Sequence, residues 1–224
     1  MIIETDAIVL HRMNYKNNSL IARLFTKNSG KISVIVNGAS KKKGNLFGVI
    51  EPPNIIHINY YKRKEGGLQT CKEANFLSNN LSIKKNINTL TISLAIVDIV
   101  DKTIHENDIN RNIYELIDKS LHALNNGSIN PKIILIYFLI KLINHLGFMP
   151  RLNESQNMNI TINQELQSIL LQFINKDFQS LNNIIINENK FLEIIIFLEN
   201  YIIEHLKLNK KIKSLKIIKD MKNG

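Results

Sequence analysis

Basic and aromatic side chains alternate along the first 80 residues of the chain. Lysine and arginine neutralise phosphates, while aromatic rings stack on bases, so this combination is typical of sequence-tolerant nucleic-acid binding. Two clusters of three cations stand out, one between glycines and one after a pair of tyrosines. We expect two nearby aromatic residues, Phe25 and Phe76, to lie in the core. The candidate DNA-contacting residues are Arg23, Lys27, Lys31, Lys41, Lys42, Lys43, Lys62, Arg63, Lys64, Lys72, Tyr15 and Tyr61.

The charge of the chain is segregated. Its formal net charge is +10 and its pI is about 9.6, which favours an anionic partner. Residues 1–80 carry a net charge of +7, residues 81–203 carry −2 and residues 204–224 carry +5. A general compositional bias toward lysine would have spread the charge evenly. The distribution therefore predicts a basic face on the first domain and a basic last helix.

Catalytic and metal-binding patterns are absent from the sequence. Cys71 is the only cysteine, which excludes an internal disulfide and a thiolate zinc site. The six histidines are too widely spaced to form a helical metal face, and Ile32 follows Gly30-Lys31 where a phosphate-binding loop requires Ser or Thr. Asp98 and Asp101 are expected on a solvated helix face. We predict a protein that is not an enzyme and binds neither metal nor cofactor.

The elements that must position the cations are short strands. They are predicted over Ile3 to Leu10, Ser19 to Thr26, Lys31 to Val36, Ile55 to Tyr60 and Leu68 to Phe76, with turn residues between them. Five strands with hairpin-length connections in under 80 residues indicate a small closed barrel of the oligonucleotide-binding (OB) type. A half-open sandwich is the alternative.

The periodicity becomes helical after Asn79-Asn80. One face of a predicted helix that starts at about Ile83 is formed by Ile87, Leu90, Leu94, Val97 and Ile104. Further helices are predicted over 109–124, 132–146, from a Thr161/Gln164 capping box to 174, 191–206 and 214–221, with an ambiguous segment at 178–186. The helix from 132 is apolar nearly all round and is expected at the centre of a bundle. The predicted domains are residues 1–79, an OB-type barrel, and residues 80–224, an all-α domain.

No membrane association is expected. The longest apolar run, Ile133 to Ile140, is far too short to cross a bilayer. Glu4 and Asp6 interrupt the opening before an apolar signal segment develops. These features favour a cytoplasmic location.

Several short motifs follow one another in a specific order between about residues 3 and 152. They are Asp6 to Leu10, Tyr15, Ser19 to Ile21, Leu24 to Thr26, Gly30-Lys31, Asn37 to Ala39 before a basic loop, Tyr60, Gly67-Leu68, Glu73 and Leu146 to Leu152. Their order resembles that of the bacterial DNA repair and recombination protein RecO family.

The resemblance implies an OB barrel followed by a helical domain. It also implies binding of single- and double-stranded DNA, annealing of complementary strands, and action with RecR to replace the single-stranded DNA-binding protein by RecA at the nucleoid. The helical domain of some members docks the acidic tail of the single-stranded DNA-binding protein. Lys132, Lys141 and Arg151, which flank the most apolar helix and the turn after it, are our candidates for that contact. Many members carry four zinc-binding cysteines after this turn, and this sequence has none there.

Two other functions fit the same composition. One is an adaptor whose main ligand is an acidic peptide or protein. The other is an RNA-binding OB-fold protein.

Overall fold

The computed structural model describes residues 1–16, 18–38, 46–63, 67–149, 164–208 and 212–221. The chain forms two compact units, Met1–Asn125 and Asn126–Gly224. The first unit thus contains a barrel together with helices that follow residue 80. The division into domains at residues 79 and 80 stays a prediction.

Five strands form a closed barrel in the first unit. They are β1 (Ile2–Tyr15), β2 (Ser19–Thr26), β3 (Gly30–Val36), β4 (Ile55–Tyr61) and β5 (Gln69–Ser78). The order around the barrel is β1-β2-β3-β5-β4, and the long first strand pairs with both β2 and β4. All neighbours are antiparallel except β3 and β5, which pair in parallel through two residue pairs only. The predicted OB-type barrel is confirmed, and the half-open sandwich is not found.

Alternate residues of each strand fill the barrel. Side chains such as Val9, Leu24, Val34 and Ile58 are fully buried in one cluster. Tyr60 also points inward, and its hydroxyl donates to Ser29 Oγ at 3.0 Å in the β2–β3 turn. Because the period of side-chain direction in a strand is two, residues on either side of each of these face outward. Some outward positions, such as Met13, are exposed, whereas others, such as Ile8 and Phe25, are fully buried and not available to a ligand.

The described residues of the first unit also form the helices α1 (Leu46–Val49), α2 (Leu81–Lys85), α3 (Ile87–Thr103) and α4 (Arg111–Asn126). Asn86 caps α3, since its side-chain oxygen accepts from the Asn88 and Thr89 amides. The predicted start at about Ile83 is wrong, since α3 begins at Ile87 after the extended Asn86. The predicted face is also partly wrong. Ile87 and Leu94 are exposed, whereas the buried positions include Ile92, Ala95, Ile96, Ile99 and Val100.

The second unit is helical. It contains α5 (Pro131–His145), α6 (Gln164–Asn175), a 3-10 helix (Phe178–Asn183), α7 (Glu188–His205) and α8 (Lys213–Asp220). Every residue from Ile133 to Ile140 is buried, which confirms the prediction that α5 forms the centre of this unit. Thr161, the predicted cap of α6, lies outside the described residues.

The described part of the chain contains no helix that is both long and apolar enough to cross a membrane.

Candidate nucleic-acid interface

The β4–β5 turn presents a tyrosine and two cations to solvent. Tyr61 ends β4 with 45% of its surface exposed, and Lys62 and Arg63 follow it, also exposed. Buried Gln69 holds the turn: its side-chain oxygen accepts from the Arg63 amide at 2.8 Å, and its amide nitrogen donates to the Gly67 carbonyl at 2.8 Å. Among the described residues, no carboxylate pairs with Lys62 or Arg63. Both side chains are exposed, so an anion in solution can reach them.

The β1–β2 turn carries a second tyrosine and lysine pair. Tyr15 ends β1 and is exposed, and the Lys16 ammonium lies 5.3 Å from the centre of its ring. Lys16 adopts a left-handed backbone conformation, with φ of +53°. This and the β4–β5 turn are the two loops that flank the ligand-binding face of an OB fold. Lys27, in the β2–β3 turn, and Lys72, on β5, are also exposed.

Arg23 and Lys31 differ from these cations because both bind Asp101 near the end of α3. Arg23 donates to the two carboxylate oxygens, from Nε at 2.6 Å and from Nη2 at 2.5 Å. Lys31 is buried, and its ammonium donates to the Asp101 main-chain carbonyl at 2.7 Å. The bonds to Asp101 raise the pKa of Arg23, whereas burial lowers the pKa of Lys31. The side chains of Arg23 and Lys31 are therefore engaged within the protein and are not positioned to bind a phosphate.

The expectation that Asp101 lies on a solvated helix face is wrong. Only 8% of its side chain is exposed, so it does not lie on a solvated face. Its neighbour one helical turn earlier, Asp98, is partly exposed and pairs with Lys102 at 2.7 Å. The sequence spacing of two carboxylates did not reveal that one of them is the partner of an arginine 78 residues away.

The segment after α3 closes the adjoining edge of β3. The Asn107 amide donates to the Lys31 carbonyl at 2.8 Å, and Glu106 forms a parallel bridge with Lys31. Ser33 donates to the Glu106 carboxylate at 3.0 Å. The β2–β3 face is thus covered at the end that carries Arg23, Lys31 and Ser33.

The two phenylalanines expected in the core have different environments. Phe25 is fully buried, and its ring centre lies 6.2 Å from that of Tyr114 on α4. Phe76 is 41% exposed on β5, so its assignment to the core is wrong. The strand pattern around Phe76 is interrupted by register shifts on β5, which is why alternation did not indicate its direction.

Several candidate residues cannot be placed. Lys41, Lys42, Lys43 and Lys64 lie outside the described residues, as does Arg151. Their contribution to an interface stays a prediction.

The two described candidates for peptide binding have internal partners. Lys132 forms an ion pair with Glu188 at the start of α7, and its ammonium lies 5.3 Å from the centre of the Phe191 ring. Lys141 donates to the Ile174 carbonyl at 3.0 Å, which satisfies one of the last carbonyls of α6. Both lysines therefore join helices of the second unit.

Sequence reasoning missed a row of outward-facing side chains around the barrel, all apolar or aromatic except one threonine. Met13 pairs with Ile21, Ile21 with Ile35, Ile35 with Thr70, and Thr70 with Tyr61. Met13 is 51% exposed, and Ile21, Ile35 and Thr70 are half-buried. Ile21 and Ile35 lie within strands that the sequence predicted, whereas Met13 lies beyond the predicted end of β1. The register that brings these residues side by side was not predicted.

No group of three metal-ligating side chains occurs within the described ranges. Cys71 is half-buried, and burial raises its pKa to about 11, so its thiol is protonated at neutral pH. A protonated thiol is a poor nucleophile. The described residues thus offer a surface for binding and no assembled catalytic group.

Two family models match the chain. The N-terminal model of recombination protein O matches residues 1–80, and the C-terminal model matches residues 84–216. The chain belongs to the RecO family. The resemblance inferred from short motifs is thereby confirmed and extended well beyond residue 152.

Proteins named DNA repair protein RecO are similar to this member. That of Flavobacterium psychrophilum is 27% identical over 237 residues, which is 99% of each chain. That of Chlorobium phaeobacteroides is 31% identical over 153 residues, covering 68% of this chain and 59% of the relative. That of Salinibacter ruber is 27% identical over 168 residues, covering 75% and 65%. The chain thus spans less than two thirds of the length of several relatives it matches.

Proposed function

We propose that this RecO-family protein acts in DNA repair by binding DNA without sequence preference. The observation that carries the proposal is the pair of exposed loops beside the β2–β3 face, one with Lys62 and Arg63 and the other with Lys16. Long cationic side chains on loops reach phosphates without reading bases, so they tolerate any sequence. The membership of the family and the names of the relatives support the same role.

Strand annealing follows from the same charges. Two complementary strands repel each other as polyanions, and partial neutralisation by the barrel lowers that repulsion. No nucleotide hydrolysis or metal enters this mechanism, and we propose that the protein is not an enzyme. The net charge of +7 on residues 1–80 supports the annealing mechanism, because it supplies cations that neutralise phosphates.

The proposed partners come from the family. We infer that the protein acts with RecR to load RecA onto DNA covered by the single-stranded DNA-binding protein. We also infer that the helical half binds the acidic tail of that protein. Lys132 and Lys141 serve inside the second unit, which leaves Arg151 as the candidate cation for the tail. A binding titration of the tail peptide with wild-type protein and Arg151→Ala tests this, and unchanged affinity would exclude Arg151.

The decisive experiment for DNA binding changes Lys62 and Arg63 together to alanine. Loss of two phosphate contacts should lower the log–log salt slope for single strands by about 1.4, at roughly 0.7 per contact. Lys119→Ala removes an exposed lysine of α4 as the matched control and should leave the slope unchanged. An equal slope for the double variant and the wild type would refute the role of this loop.

The lysine loop offers a second test of the same kind. Replacing Lys41, Lys42 and Lys43 by alanine is expected to reduce the slope by about two units. Repeating each titration with RNA of the same sequence and length separates a DNA-binding protein from an RNA-binding one.

A further inference from the structure

The last helix, α8, is fixed at both ends by one buried carboxylate of α7. Glu199 is 1% exposed, and its Oε1 accepts from the Ile212 amide, just before α8, at 3.1 Å. Its Oε2 accepts from the Lys219 ammonium in the last turn of the helix. The same side chain therefore binds main chain at the start of α8 and a cation at its end.

Apolar packing and this ion pair together set the rotation of α8. Ile212, Leu215 and Ile218 are buried. A helix of eight residues is not stable alone in water, so α8 depends on these contacts for its helical form. A buried ion pair adds little net stability compared with apolar packing, because both charges lose their hydration. It does select one orientation, since another rotation would leave Glu199 buried without its ammonium partner.

The orientation so fixed turns other cations of α8 to solvent. Lys213 and Lys216 are exposed and lie about one turn apart, roughly 4.5 Å along the helix axis. Asp220, the acidic residue of the helix, is its last residue and is also exposed. The Ile212 amide is already bound by Glu199, so an anion at α8 would be held by lysine side chains and not by the helix N-terminus.

The positive charge of the second unit is concentrated around α8. Residues 204–224 carry a net charge of +5, whereas residues 81–203 carry −2. The other basic region is the barrel, with +7 on residues 1–80. The two basic regions therefore belong to different units and are separated in the sequence by a nearly neutral stretch.

We propose that α8 is a second phosphate-binding surface, which holds a second strand of DNA while the barrel holds the first. Lysines one turn apart contact successive phosphates without reading bases. The inference rests on the proposed function and adds to its annealing mechanism, since one chain then brings two strands into a single complex. Glu199 is a positioning residue in this scheme, because it acts through the orientation of the helix.

The test detects two strands on one protein. An equal mixture of short donor- and acceptor-labelled oligothymidylates is titrated onto the full-length protein. Anisotropy reports the first strand bound, and energy transfer reports a complex that holds two, because these strands cannot pair with each other. Lys213→Ala/Lys216→Ala should lower the log–log salt slope for the second strand by about 1.4, at roughly 0.7 per contact, and leave that of the first unchanged.

Two control variants separate charge from other effects of substitution. Lys213→Arg/Lys216→Arg keeps both charges and should bind two strands like the wild type. Lys119→Ala removes an exposed lysine of the first unit and should leave both slopes unchanged. Annealing of complementary strands should slow in the alanine double variant and in neither control.

Glu199→Ala distinguishes an oriented surface from a charged tail. This substitution removes a negative charge, so electrostatics alone predicts tighter binding of the second strand. Loss of the anchor predicts the opposite, because the lysines must then be ordered on binding. Second-strand affinity should fall by about 5-fold or more, and first-strand affinity should not change. If this variant does not fold, the substitutions at the exposed Lys213 and Lys216 decide alone.

Four outcomes would overturn the inference. Wild-type protein that binds one strand without energy transfer has no second site. An unchanged second-strand slope in the alanine double variant would show that α8 does not contact it. Equal losses for both strands would make α8 part of one site with the barrel. Loss of binding to an acidic peptide alone would make α8 a peptide site. The proposed function fails separately, if wild-type protein binds no DNA or if Lys62→Ala/Arg63→Ala leaves first-strand binding unchanged.

Discussion

Replacing Gly30 with alanine tests how firmly the β2–β3 turn is held against the segment after α3. Gly30 has φ of +69°, a conformation that side chains with a Cβ rarely adopt. A Cβ at this position would lie 2.4 Å from the Asp108 carbonyl oxygen and 2.8 Å from the Asn107 carbonyl carbon. Both neighbours are main-chain atoms, so the segment as a whole must move to accept the methyl group.

The expected loss of stability has two parts. The left-handed conformation costs a residue with a Cβ about 1–2 kcal/mol. Displacing Asn107 weakens its hydrogen bond to the Lys31 carbonyl, and losing that bond costs about 1 kcal/mol, with some loss of packing in addition. Gly30→Ala should therefore lower the free energy of unfolding by about 2–4 kcal/mol.

Gly67→Ala separates the two parts. Gly67 has φ of +73°, but a Cβ there would meet no atom within 4 Å. The free energy of unfolding of this variant should fall only by the cost of the left-handed conformation, about 1–2 kcal/mol. Urea denaturation followed by circular dichroism measures both variants against the wild type. Equal losses for Gly30→Ala and Gly67→Ala would refute the argument, because they would show that the close contact with Asp108 carries no energy.

Four further outcomes are expected. Asp101→Asn, which removes the charge facing Arg23, should lower the free energy of unfolding by about 1–3 kcal/mol in the same assay. Hydrogen bonds to Asp6 and Glu4 raise the pKa of His57 above 6.5, so its contribution to stability is present below pH 6.5 and is lost as the pH rises through the raised pKa. The stability difference between wild type and His57→Gln should therefore shrink from pH 6 to pH 9, and a constant difference would contradict this. Cys71 should react with iodoacetamide at pH 7.5 far more slowly in the native protein than in urea. Chelators should leave the melting temperature unchanged, since the sequence supplies no thiolate zinc site.

The barrel could be predicted because its strands obey local rules. Ser19–Thr26 was predicted with its observed bounds, and the other strands were placed within a few residues except for β1, which continues to Tyr15. The missed part of β1 lies beyond an irregularity between Val9 and His11, where the alternation changes phase. A strand prediction that assumes unbroken alternation therefore stops at that point.

The site could be predicted only in part. Exposed loop cations such as Lys62 are visible in a sequence because turns are exposed. The pairing of Arg23 with Asp101 is not visible, since it joins residues that only the tertiary fold brings together. The orientation of α3 is also hidden, because a helix with apolar residues on several sides does not specify its buried face. The row through Ile21 and Ile35 depends on the register of barrel closure, which no single strand encodes.

The attachment of Lys31 bears on how the protein can be divided for experiments. Its main chain binds Asn107 and its ammonium binds Asp101, both beyond the last strand. A fragment cut after residue 80 would lose these partners, and the edge of β3 would be left with unpaired main-chain groups, a template for intermolecular pairing. A fragment of residues 1–125 keeps them. Dissection of the DNA-binding half should therefore begin with that longer fragment.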